Sequence, residues 1–144
     1  FNYQQNLILF LHPQAQESVL ECLMQSVLVV DDSATMRRMI IASLHDLGDV
    51  NFSQASNGLE AIERLALSPT DIMILDLNMP DMHGMEVLKF VREQPSYKDL
   101  PVIILTTKGD EESRNAANVA GASAYITKPF EPEKLVQKIR DFLP

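Results

Sequence analysis

The chain has 144 residues, 46% of them hydrophobic and 22% charged, with a formal net charge of −8. That is material for one domain with a buried core, and the acidic balance excludes a nucleic-acid surface, which needs clustered Lys and Arg against phosphates. No apolar run approaches the roughly 20 residues that span a bilayer. Leu7–Leu11 lacks the preceding basic residues of a secretory signal, and the single cysteine, Cys22, has no partner for an internal disulfide, as expected in a reducing, cytoplasmic setting.

The first 25 residues hold five glutamines and no Lys or Arg, and they precede a unit that is complete from Met24 onward. Residues 1–25 are therefore set apart as an N-terminal extension whose origin the composition leaves open, with Met24 as the expected natural start. If the extension packs on a neighbour, Leu20, Cys22 and Leu23 are its contact residues; a solvated tail is the plainer expectation.

From Ser26 the pattern alternates five times between β-rich runs and amphipathic stretches. Ser26–Val30 is the first strand. Ser33 is a cap for a helix whose apolar face is Met36, Met39, Ile40, Leu44 and Leu47, ended by Gly48. Val50–Ala55 reads as a weaker strand. Asn57 opens a helix with Leu59, Ile62, Leu65 and Ala66 inward, stopped before Pro69. Asp71–Leu75 is a continuous apolar run, as a strand buried on both faces requires. The helix over Gly84–Glu93 buries Met85, Leu88 and Val91. Pro101–Leu105 is the fourth strand, and Asp110 caps a helix reaching about Ala120 before Gly121. Ser123–Thr127 is the fifth strand, and a last helix over Glu131–Leu143 turns Leu135, Ile139, Phe142 and Leu143 inward. Such alternation predicts an α/β fold, a doubly wound five-stranded parallel sheet with right-handed crossovers and helices on both faces.

Four polar residues follow the strand runs SVLVVDD, DIMILD, PVIILTT and SAYITKP: Asp32, Asp76, Thr106 and Lys128, at intervals of 44, 30 and 22. In a parallel sheet the carboxyl ends share one edge, where such folds place their chemistry. Each residue taken singly has a plain explanation. Asp31 and Asp32 suit a turn or cap, Asp76 a turn before Asn78-Met79-Pro80, Thr106 a strand and Lys128 a surface turn. Together they do not. Two unit charges about 4 Å apart repel by on the order of 4 kcal/mol at an effective dielectric of 20, so a fold gains no stability by gathering three carboxylates. A hard divalent ion with oxygen ligands, Mg2+ above others, resolves the conflict. Asp32 and Asp76 are then expected inside its shell, Asp31 behind a water, and the backbone carbonyl of Asn78 as a further ligand. The ammonium of Lys128 faces the acids, and the Thr106 hydroxyl can donate to a phosphoryl oxygen on Asp76.

The segments VLVVDDSATMRRMI, LDLNMPDMHGMEVL and LTTKGD through GASAYITKPF resemble the receiver domains of response regulators over about residues 25 to 144. Within that family the chain is most similar to stand-alone chemotaxis regulators of the CheY type. The resemblance implies the flavodoxin-like strand order 2-1-3-4-5, a receiver unit over 26–144 and a cis Lys128–Pro129 bond. It implies Asp76 as phosphoacceptor, Asp31 and Asp32 as acid pocket, Lys128 as the family's lysine, Thr106 as switch hydroxyl and Tyr125 as switch aromatic. It further implies that Asn78 and Lys108 flank the water that removes the phosphate.

On this resemblance a histidine kinase supplies the phosphoryl group, and the protein catalyses only its own phosphoryl transfer and autodephosphorylation. Output is expected through a face around residues 111–143, with a flagellar motor switch component as candidate target. The helix over Glu111–Ala120, with Asn115, Asn118 and an alanine-rich inner side, reads equally as an element suited to shifting or as a merely weakly packed one. A flavodoxin-type flavin carrier is disfavoured because Asp31 and Asp32 would repel its phosphate. A phosphoaspartate phosphatase wants a second Asp where Asn78 stands. A phosphorelay intermediate, or a receiver fragment of a larger regulator, is the serious alternative.

Overall fold

The computed structural model describes residues 12–143. The expected extension falls partly outside them; within them, α1 spans Pro13–Leu23 and leads through Met24 into β1, Gln25–Val30. Five further helices and four strands follow. These are α2 (Ala34–Ser43), a 3-10 turn (His45–Leu47), β2 (Val50–Ala55), α3 (Gly58–Leu67), β3 (Ile72–Leu75), α4 (Gly84–Glu93), β4 (Val102–Thr106), α5 (Glu111–Val119), β5 (Ala124–Thr127) and α6 (Pro132–Phe142). The sheet is parallel throughout, in the order β2-β1-β3-β4-β5.

Strand alternation sorts the core into two layers. Val27, Val29, Ile72, Ile74, Ile103 and Leu105 face α2 and α6, where they meet Ile40, Leu44, Leu135, Val136 and Ile139. Leu28, Val30, Met73, Leu75, Val102 and Ile104 face α3, α4 and α5, against Ala61, Leu65, Val87, Leu88, Val91 and Ala117. The three central strands are buried on both sides, as their unbroken apolar runs require, while edge strand β2 is mostly half-buried.

The helix starts follow their caps. Ser33 accepts from Met36 N–H, Asn57 from Glu60 N–H and Asp110 from Ser113 N–H. β3, β4 and β5 start a residue later than expected, β2 where expected and β1 a residue earlier, and side chains join the ladder at these strand starts. Asp71 accepts the Ser26 N–H at 2.7 Å, and Ser123 Oγ accepts that of Val102 at 3.0 Å.

Three expected inward residues are exposed, Ala66 of α3 among them. Leu59 of α3 and Met39 of α2 keep 61% and 52% of their surface in solvent. At roughly 100° per residue, the buried stripe of α3 runs through Gly58, Ala61 and Leu65, which leaves Leu59 and Ala66 about a third of a turn away. Met39 stands one such step from Ile40, the buried centre of α2. Val87, which the pattern reading passed over, is fully buried in α4, while Met85 is half-buried.

Candidate phosphoacceptor site

Backbone pairing beyond the strand ends assembles the site. Asp31 N–H donates to Ala55 O at 3.1 Å, Asp76 N–H to Val30 O at 3.0 Å, and Lys128 N–H to Thr106 O at 2.8 Å. Each functional residue is therefore the next rung after its strand. β1 lies between β2 and β3, so Asp31 and Asp76 stand where the chain's winding reverses, the position at which such sheets leave a crevice. The glycine at 84 makes this geometry possible: a Cβ there would fall 2.2 Å from Asp76 O and 2.7 Å from Leu77 Cα. α4 can begin directly against the end of β3 only because the side chain is missing.

Among the described residues the buried polar or charged ones are Asp31, Asp76 and Thr106. All three belong to this edge. Lys128 Nζ donates to Asp31 Oδ2 at 2.5 Å and to Asp76 Oδ2 at 3.3 Å. Asp31 Oδ1 accepts the Ser33 N–H at 2.9 Å, and Arg37 donates to the Asp31 carbonyl at 2.6 Å, which fixes the turn between β1 and α2. Asp76 Oδ1 accepts the Asn78 N–H at 3.2 Å. The peptide bond before Pro129 is cis, as the resemblance implies.

Asp31, Asp32 and Asp76 each offer one carboxylate oxygen, all within 4.8 Å of one another, with Asp32 exposed and the other two buried. One ammonium balances one of these three negative charges, and the unbalanced remainder together with the all-oxygen donor set fits a hard divalent cation. Asp31 is the acid held by Lys128 and the turn, whereas Asp32 keeps its carboxylate toward solvent.

Thr106 is fully buried and its hydroxyl accepts the Lys108 N–H at 3.4 Å. Lys108 itself is exposed. Its carbonyl accepts the Tyr125 hydroxyl at 2.5 Å, and the Arg114 guanidinium lies 4.9 Å from the centre of that half-buried ring. Burial, and after it the charge of Asp110, pushes the Tyr125 phenol above its ordinary value, with Arg114 acting the other way. A contact that the pattern reading missed joins the loops after β3 and β4: Asn78 Nδ2 donates to Thr107 Oγ1 at 3.2 Å. The signal for it was the second threonine of the TTK run, which lies just past β4 and is exposed where the first is buried.

A cleft of about 390 Å³ beside Tyr125 is lined by Arg114, Thr127, Lys134, Gln137 and Lys138. Among the described residues no helix is long and apolar enough to cross a membrane.

The sequence profile described as the response regulator receiver domain matches residues 27–140. The chain is 42% identical over 118 residues to a chemotaxis protein CheY homolog of Campylobacter jejuni, an alignment spanning 81% of this chain and 91% of that protein. It is 43% identical over 114 residues to chemotaxis protein CheY1 of Helicobacter pylori, spanning 78% and 92%. Among solved structures, that of chemotaxis protein CheY4 of Vibrio cholerae superimposes with a TM-score of 0.77 at 38% identity, covering 83% of this chain and 99% of that one.

Proposed function

The chain belongs to the response regulator receiver family of two-component signalling, and from that premise we propose that Asp76 accepts a phosphoryl group from a histidine kinase and that the event changes binding of a protein partner. The observation that carries this reading is the burial of Asp31, Asp76 and Thr106 at one sheet edge, with the Lys128 ammonium between the two acids. An oxygen of Asp76 attacks phosphorus in line as the N–P bond of the phosphohistidine breaks and the imidazole keeps the electron pair. Lys128, already 3.3 Å from Asp76, pairs with the charge that gathers on the phosphoryl oxygens, and the Thr106 hydroxyl donates to one of them. Asp31, Asp32, Asp76 and the Asn78 carbonyl would hold Mg2+, which when bound neutralises the incoming oxygens. Asn78 and Lys108 tune the later attack of water.

Thr106 and Tyr125 carry the signal outward. Drawing Thr106 toward the phosphoryl group frees space beside the half-buried Tyr125 ring, and the face of α5, β5 and α6 over residues 111–143 responds. The names of the relatives support chemotaxis as the setting, and a flagellar motor switch component is the partner we propose for it. The lone cysteine suits the cytoplasm.

The test is incubation with a small acyl-phosphate donor and Mg2+, read by intact mass. The protein should gain one phosphoryl group and Asp76→Asn none; equal gain by Asp76→Asn would overturn the assignment. Capture with the beryllofluoride-bound protein should then enrich a motor-switch component, whereas enrichment of a phosphotransfer protein would replace the chemotaxis reading with a relay.

A further inference from the structure

Arg37 of α2 reaches back over the turn that precedes its own helix. One terminal nitrogen of the guanidinium donates to the Asp31 carbonyl at 2.6 Å, and Nε donates to the side-chain oxygen of Gln54 on edge strand β2 at 3.0 Å. The Asp31 N–H donates to the carbonyl of Ala55, the next residue of that strand. Both peptide groups of Asp31 are thus tied to β2, one directly and the other through Arg37. A peptide group is planar, so fixing the Asp31 carbonyl also fixes the nitrogen and Cα of Asp32. The Asp31 carboxylate has its own anchors in Lys128 and the Ser33 N–H, whereas Asp32 is exposed. Through the backbone, then, Arg37 sets the point from which the exposed carboxylate extends.

We propose that Arg37 is a positioning residue that holds the Asp31–Asp32 turn ready for a divalent cation. This rests on the reading of Asp31, Asp32 and Asp76 as the residues that would hold Mg2+. A turn that is already fixed loses no freedom when the ion is bound, and that saving appears as affinity. The sign of the effect separates this role from simple charge. A guanidinium beside an acidic edge repels a second cation, so on charge alone its removal would tighten Mg2+ binding. Removal of the anchor weakens it.

The test titrates Mg2+ into the unphosphorylated protein by isothermal calorimetry. Arg37→Met keeps an apolar stem without the donors and should weaken Mg2+ binding about tenfold, the lower end of the cost of losing a group that orients a metal ligand. Arg38→Met, at the exposed neighbouring arginine, removes the same charge without an anchor and should bind Mg2+ at least as tightly as wild type. Gln54→Leu frees one arm of the guanidinium and should weaken binding less than Arg37→Met does. In the Arg37→Met background it should add nothing. A metal-free readout runs beside these: nitrogen relaxation should show the Asp32 and Ser33 amides gaining fast motion in Arg37→Met and keeping wild-type order in Arg38→Met. If Arg37→Met does not fold, Gln54→Leu, at an exposed position, carries the same test. Unchanged or tighter binding in Arg37→Met or Gln54→Leu, an equal loss in Arg38→Met, additive effects in the double variant or unmoved Asp32 and Ser33 amides would each overturn the proposal. Wild-type protein that binds no Mg2+, or Asp76→Asn that binds it as well as wild type, would instead remove the metal reading and this proposal with it.

Discussion

Lys128 and Asp31, 97 positions apart in the chain, are joined by an ion pair of 2.5 Å, and the same ammonium stands 3.3 Å from Asp76. One cation thus serves two buried carboxylates, with a third, Asp32, beside them. The pair is nearly dry: the Lys128 side chain keeps 9% of its surface exposed and that of Asp31 2%. Removing the cation therefore leaves charges that water cannot reach.

Lys128→Met should lower the unfolding free energy in metal-free buffer by about 3–5 kcal/mol, measured by urea unfolding. A loss under ~1 kcal/mol, the size of an exposed pair, would show that the cluster does not depend on this ammonium.

Asp76→Asn should act in the opposite sense. It changes three carboxylates per ammonium to two and leaves the shorter Lys128–Asp31 pair in place. Relief of about 1 kcal/mol would raise the thermal midpoint of a domain this size by roughly 4 °C. Added Mg2+ should raise the wild-type midpoint more than that of Asp76→Asn, because a ligand of the native state stabilises by mass action. A drop of several degrees in Asp76→Asn would refute strain in the cluster.

Gly84→Ala should cost about 1–3 kcal/mol or more, because its Cβ would overlap the Asp76 carbonyl oxygen and the Leu77 backbone. It should also slow phosphoryl transfer by displacing Asp76. Urea unfolding and donor-dependent mass gain check the two effects separately.

The Tyr125 phenol has its pKa raised above 10.0, first by burial and then by Asp110. Because folding favours its protonated form, the stabilisation is fully present below the unfolded pKa and is lost as pH rises from about 10 through the folded value. Tyr125→Phe should therefore lose less stability than wild type over that alkaline window, followed by urea unfolding at stepped pH. Tyr125→Ala should still take phosphate on Asp76 yet lose most phosphate-dependent partner affinity, measured with the beryllofluoride-bound protein. Unchanged affinity would take Tyr125 out of the signalling path.

Much of the fold was legible because parallel strands and their caps are local signals. The apolar runs at Val27–Val30 and Ile72–Leu75, and the caps at Ser33, Asn57 and Asp110, each show in a few consecutive residues. Side-chain exposure was less legible. Leu59 and Met39 are as apolar as their buried neighbours, and only the rotation of each helix on the sheet decides which of them faces water.

The same division holds at the site. The order of Asp31, Asp32, Asp76, Thr106 and Lys128 after successive β-runs determines that three acids, a hydroxyl and an ammonium share an edge, because a parallel sheet aligns its carboxyl ends. Partner choice among those residues was decided only in three dimensions. Lys128 holds Asp31 more closely than Asp76, Tyr125 bonds the carbonyl of Lys108, and Asn78 ties to Thr107 rather than standing free. These contacts span 17 to 97 residues, and the distances that decide between partners are set by how strand register and loop geometry add up, which no local pattern in the chain encodes.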